Sequence, residues 1–128
     1  MDLQRIYLEL QQAGEHFPNL EALPTGDGGV YAKAALQTSA GKIYLLALQF
    51  QGYPYEMPKV FVTKPALQRW KHRYSTGNIC YMHPNLWNPG RHNVKYVLMQ
   101  VAVWLNKYDV FLQNGGKWPG PGIEHHAS

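Results

Sequence analysis

Tyr53-Pro54-Tyr55-Glu56-Met57-Pro58-Lys59-Val60-Phe61-Val62-Thr63 is the stretch on which the fold turns. Its first half is a proline-studded turn, because each proline fixes φ and removes a ladder donor. Its second half, Lys59 to Thr63, is β-branched and aromatic and reads as a strand, which Pro65 stops. Upstream, Val30 to Gln37 and Lys42 to Phe50 are rich in aliphatic and aromatic residues, with Thr38-Ser39-Ala40-Gly41 between them. That pattern predicts an antiparallel hairpin, so three strands follow one another in a meander. Further upstream, Thr25-Gly26-Asp27-Gly28-Gly29 is a turn signal.

The two ends are helical by periodicity. Leu3, Ile6, Tyr7, Leu10 and Ala13 recur at helical spacing over residues 2–16, with Asp2, Gln4, Glu9, Gln11 and Gln12 as the polar remainder. Gly14 and Pro18 end that helix. A longer helix is predicted from Val94 to Gln113, with Asn93 as N-cap and Gly115-Gly116 as terminator. Val94, Val97, Leu98, Val101, Leu105, Tyr108 and Leu112 form its apolar face. Trp104 belongs to this helix as a structural residue, and Trp118 is expected to pin the tail that follows. Between Ala66 and Asn93 there is little periodicity, and loops of that length inside a domain often carry function. Helix, antiparallel meander, long loop, helix is an α+β plan.

The chain has 128 residues, 45% of them hydrophobic and 16% charged, which excludes wholesale disorder. A single domain is expected over residues 1–128, with its core in 2–113 and an irregular Gly/Pro tail in 114–128. One cysteine excludes an internal disulfide and a cysteine-rich zinc site. No segment approaches the roughly 20 apolar residues of a membrane span. The opening residues lack a secretion leader. A soluble protein of the cytoplasm is expected, without membrane association.

The net charge of +4 says less than its distribution. Between Glu56 and Asp109 there is no acidic residue, while Lys59, Lys64, Arg69, Lys71, Arg73, Arg91, Lys95 and Lys107 all lie there. Cys80 sits near the middle of that stretch. An ordinary thiol is only a few per cent ionised near neutral pH, and a basic surround favours the reactive thiolate. His72, His83 and His92 lie within twelve residues of it. By composition alone, Cys80 is more readily read as a small buried hydrophobe. Cys80 and His83 have a usable metal spacing, but no second ligand pair follows. Lys and Arg interleaved with Trp70, Tyr74 and Trp87 could stack single-stranded nucleic acid. The charge is modest and no nucleic-acid motif accompanies it; the stretch could instead dock an acidic patch on a protein partner, or be an ordinary solvated surface.

Three motifs in register resemble ubiquitin-conjugating enzymes: the Tyr53–Thr63 stretch, Gly77-Asn78-Ile79-Cys80, and Trp87-Asn88-Pro89. The resemblance covers about residues 2–113 and implies the fold of that family, here without its C-terminal helices. It also implies that Cys80 is the nucleophile. The family's His-Pro-Asn element, whose asparagine lies eight residues before the cysteine, is absent, and His72 stands at that position. His83-Pro84-Asn85 follows the cysteine instead, and the asparagine's role is not carried to Asn85. His72 and His83 are therefore the candidate catalytic partners of Cys80. Trp70, Arg73, Asn78, Tyr81, Trp87 and Arg91 are the expected partner contacts.

The compact form resembles stand-alone bacterial members found in antiphage operons of the CBASS type. There the cysteine captures the C-terminal tail of a cGAS-like nucleotidyltransferase. The implied activity is acyl transfer through a cysteine thioester, with no metal or organic cofactor. An activating enzyme could supply the acyl group, and a bacterial ubiquitin-like protein is the alternative donor. Two other classes stay open: a non-catalytic adaptor in which Cys80 packs or cross-links, and a cysteine hydrolase of the same acyl bond.

Overall fold

The computed structural model describes residues 1–67 and 77–119. The elements run α1 (Leu3–Gly14), β1 (Glu21–Pro24), β2 (Val30–Gln37), β3 (Ile43–Gln49), β4 (Lys59–Lys64), a short 3-10 turn (Pro84–Leu86) and α2 (Val94–Gln113). The strands form one antiparallel sheet in the order β1-β2-β3-β4. This is the α+β plan expected from the sequence.

Alternation sets the two faces of the sheet. Val30, Ala32, Ala34 and Leu36 of β2 and Tyr44, Leu46 and Leu48 of β3 point inward and are buried. They meet Ile6, Leu10 and Ala13 of α1 and Val97, Leu98, Val101 and Leu105 of α2 in a single apolar cluster. At the hairpin, Gly41 takes φ 85° and its N–H donates to the Thr38 carbonyl at 2.9 Å, as the turn residues predict. The long helix starts and stops where its sequence says. Asn93 accepts from the Tyr96 amide at 2.9 Å, and the Gly116 amide closes onto the Phe111 carbonyl at 3.0 Å.

Two features differ from the sequence reading. The first strand, Glu21–Pro24, carries no alternating pattern and ends in proline, and it exists because β2 offers it an edge to pair with. The second is the face of α1. Leu3 and Tyr7 are exposed, whereas Glu9 is buried at 7% exposure. Burial of a carboxylate is tolerable only with partners. Glu9 has three: Arg5 Nε, the Tyr53 hydroxyl, and the Val94 amide at 3.0 Å. A second buried carboxylate, Asp109, accepts from the Thr38 and Tyr44 hydroxyls and ties the far end of α2 to the hairpin.

Trp104 is buried in α2, stacked on Tyr108 with centroids 5.5 Å apart. Trp118 folds back, its ring centroid 5.3 Å from that of Trp104 and 6.2 Å from that of Phe111, which holds the described residues just beyond α2 against the helix. Among the described residues no helix follows α2, and no helix is long and apolar enough to cross a membrane.

Candidate active site around Cys80

Cys80 lies one residue beyond a bridge to the sheet edge. The Ile79 amide donates to the Val60 carbonyl at 2.9 Å. On the other side, the Tyr81 hydroxyl donates to the Pro58 carbonyl at 2.5 Å. Both neighbours of Cys80 are thus tied to the start of β4, two residues apart. Ile79, Tyr81 and Met82 also join the apolar cluster. Gly77, with φ 96°, begins this segment in a conformation that side chains resist. The Tyr53–Thr63 stretch therefore does two jobs: it supplies β4 and, through the Pro58 and Val60 carbonyls, it anchors the cysteine segment.

Cys80 itself is 1% exposed. Asn78 and Tyr81, expected as partner contacts, are also buried, at 5% and 3%. As placed, these three residues meet a partner only after a local movement. Trp87 is half-buried, its ring N–H donating to the Pro54 carbonyl at 2.7 Å and its face lying 5.8 Å from Tyr53. Arg91 is exposed. His72, Trp70 and Arg73 lie outside the described residues.

His83 is half-buried and caps the short 3-10 turn. Its Nδ1 accepts from the Asn85 amide at 3.1 Å. Since the backbone amide must be the donor, a neutral ring so placed carries its own proton on Nε2. The Nδ1 of His83 is thus occupied by its own turn. The His83-Pro84-Asn85 letters have a local structural meaning as well: proline at the first turn position and a histidine cap. His92 uses its Nδ1 in the same way, accepting from the Asn88 amide at 3.0 Å, and stacks on Tyr96 at 4.4 Å.

The residues that sequence reasoning passed over are Arg5 and Glu9. Their spacing of four on a helix is the only local signal, and it is that of an ordinary surface ion pair. In the fold they face the turn before β4 and the limb leading into α2. Burial and the Glu9 carboxylate together push the Tyr53 hydroxyl above the usual tyrosine range. Among the described residues no three His, Cys, Asp or Glu side chains gather as a metal site requires.

A family model described as Type II CBASS E2 protein matches residues 9–126. No curated protein matches the chain.

Proposed function

The chain belongs to the Type II CBASS E2 protein family, and from that premise we propose that Cys80 forms a thioester with the C-terminus of a protein partner. The partner is a cGAS-like nucleotidyltransferase acting in the same antiphage system. In the first step the Cys80 thiolate attacks an activated C-terminal carbonyl, either an acyl adenylate or the thioester of an activating enzyme. The tetrahedral intermediate expels adenylate or the donor thiolate. In the second step an amine attacks the Cys80 thioester, the Cys80 thiolate leaves, and the amine gives up a proton to solvent or a nearby base. Dividing one difficult acylation into two easier ones is the gain of covalent catalysis.

The observation that carries this reading is the double tether of the Cys80 segment, through Ile79 to Val60 of β4 and through Tyr81 to Pro58 just before it. A nucleophile whose two neighbours are anchored is held to one geometry about the local movement that admits a peptide tail, and such positioning lowers the entropic part of the barrier. The oxyanion needs donors aimed at it. Backbone amides of the Cys80 segment and the His83 ring are the candidate donors. A metal or organic cofactor has no part in these steps, because the thiolate is itself a good leaving group. The +4 charge and the acid-free stretch around Cys80 suit a carboxylate-ended partner.

The 1% exposure of Cys80 favours a second reading, that of an adaptor in which the cysteine packs and the fold alone binds the partner. The experiment that separates the two incubates wild type, Cys80→Ser and Cys80→Ala with the nucleotidyltransferase, with and without an activating enzyme and ATP. Acyl transfer gives a wild-type adduct cleaved by hydroxylamine but not by a phosphine, and a stable ester in Cys80→Ser. A wild-type adduct cleaved by the phosphine is a disulfide. Co-purification without any Cys80-dependent adduct establishes the adaptor.

A further inference from the structure

Arg5 and Glu9 stand one turn apart on α1, and together they hold the limb of chain that returns from Cys80 to α2. Arg5 Nη2 donates to the Pro89 carbonyl at 2.7 Å and to the His92 carbonyl at 3.0 Å. Its Nε pairs with Glu9 Oε2. Glu9 Oε1 accepts from the Val94 amide at 3.0 Å, at the N-terminus of α2, where the helix dipole favours an anion. The same oxygen accepts from the Tyr53 hydroxyl, and the Asp2 amide donates to the Tyr53 carbonyl at 3.0 Å. One turn of one helix therefore grips both the turn before β4 and the limb from Pro89 to Val94. Trp87 adds a further tie from that limb to Pro54. The guanidinium reaches the carboxylate from Nε and the two carbonyls from Nη2, a spread of fixed donors that the point-like ammonium of lysine does not reproduce.

We propose that the Arg5–Glu9 pair positions the active-site loop: it locks residues 87–94, and through them keeps the Cys80 segment in its closed, buried setting. The functional meaning of the lock rests on Cys80 being the reaction centre. Its structural content does not, since the lock is defined by contacts on the return limb. Loosening it lets the loop open locally without unfolding the sheet, because the apolar contacts of β2 and β3 with both helices and the Asp109 network at the other end of α2 remain.

Cys80 is the only cysteine, so alkylation by iodoacetamide reports on that thiol alone. A thiol at 1% exposure is modified through an opening, and its rate follows the open population. The rates of wild type, Arg5→Lys, Glu9→Gln and Asp109→Asn are measured across neutral to mildly alkaline pH, each at the same interval below its own melting temperature. Arg5→Lys and Glu9→Gln are expected to speed modification at least ~5-fold at every pH, with the pH midpoint unmoved. Asp109→Asn, which breaks the other buried carboxylate cluster, is expected to leave the rate near that of wild type. Equal acceleration by Asp109→Asn, or a wild-type rate in Arg5→Lys, overturns the proposal. Neither result depends on a partner, so failure to form a partner adduct counts against the thioester reading alone.

Discussion

Glu9 on α1 accepts the amide hydrogen of Val94, the first residue of α2, across 85 positions of sequence at 3.0 Å. The second helix is thus capped by Asn93 from its own sequence and by a carboxylate from the first helix. The two caps differ in kind. Asn93 is replaceable by any short polar residue, whereas removal of Glu9 leaves the Tyr53 hydroxyl and the Val94 amide unpaired and takes the carboxylate from Arg5, which keeps only the Pro89 and His92 carbonyls.

Glu9→Ala is therefore expected to lower stability by about 2–3 kcal/mol, below the full cost of breaking a buried pair because Arg5 is partly solvated. Glu9→Gln, which keeps one acceptor, should lose less. Urea unfolding followed by circular dichroism measures both, and equal losses would contradict the pairing.

Tyr53 and Tyr44 have their ionisation pushed up by burial first, and then by the Glu9 and Asp109 carboxylates they donate to. A raised folded-state value means that this stabilisation is fully present below the ordinary tyrosine range near ~10 and fades as pH rises through the folded value. In an ultraviolet alkaline titration, Tyr44 and Tyr53 should not ionise until the chain unfolds. Tyr53→Phe should remove one such late group and reduce the alkaline loss of stability.

Gly77 and Gly14 should respond in opposite senses to alanine. Gly77 sits at φ 96°, so Gly77→Ala is expected to cost about 1–2 kcal/mol and to disturb the Cys80 segment. Gly14 ends α1 with nothing within 4 Å of a built Cβ, and Gly14→Ala should be neutral or stabilise by up to about 1 kcal/mol. Thermal melts of the two variants side by side provide the comparison.

Trp118→Ala should uncover Trp104, whose buried ring N–H has no hydrogen-bond partner among the described residues. The expected result is a red-shifted tryptophan emission, easier acrylamide quenching, and a loss of about 1–2 kcal/mol, modest because Trp118 is only half-buried. An unshifted spectrum, after allowing for the lost fluorophore, would show that Trp118 does not shield Trp104.

The sequence by itself determined what local patterns encode. The span of α2 with its Asn93 cap, the 38–41 turn, the strand after Pro58, and a cysteine in a loop between sheet and helix were all legible, because periodicity and turn chemistry act within a few residues. Tertiary structure alone decided the rest. β1 forms because β2 leaves an edge, and no property of Glu21–Pro24 announces it. Glu9 is inside because its partners come from positions 44 and 85 residues away, and no window of sequence holds that compensation. The direction of the His83 ring follows from a backbone amide that comes within its reach only once the 3-10 turn forms. The burial of Cys80 follows from Ile79 and Tyr81 being drawn onto β4. A lone cysteine is an invitation in the sequence, and its setting is set by long-range packing.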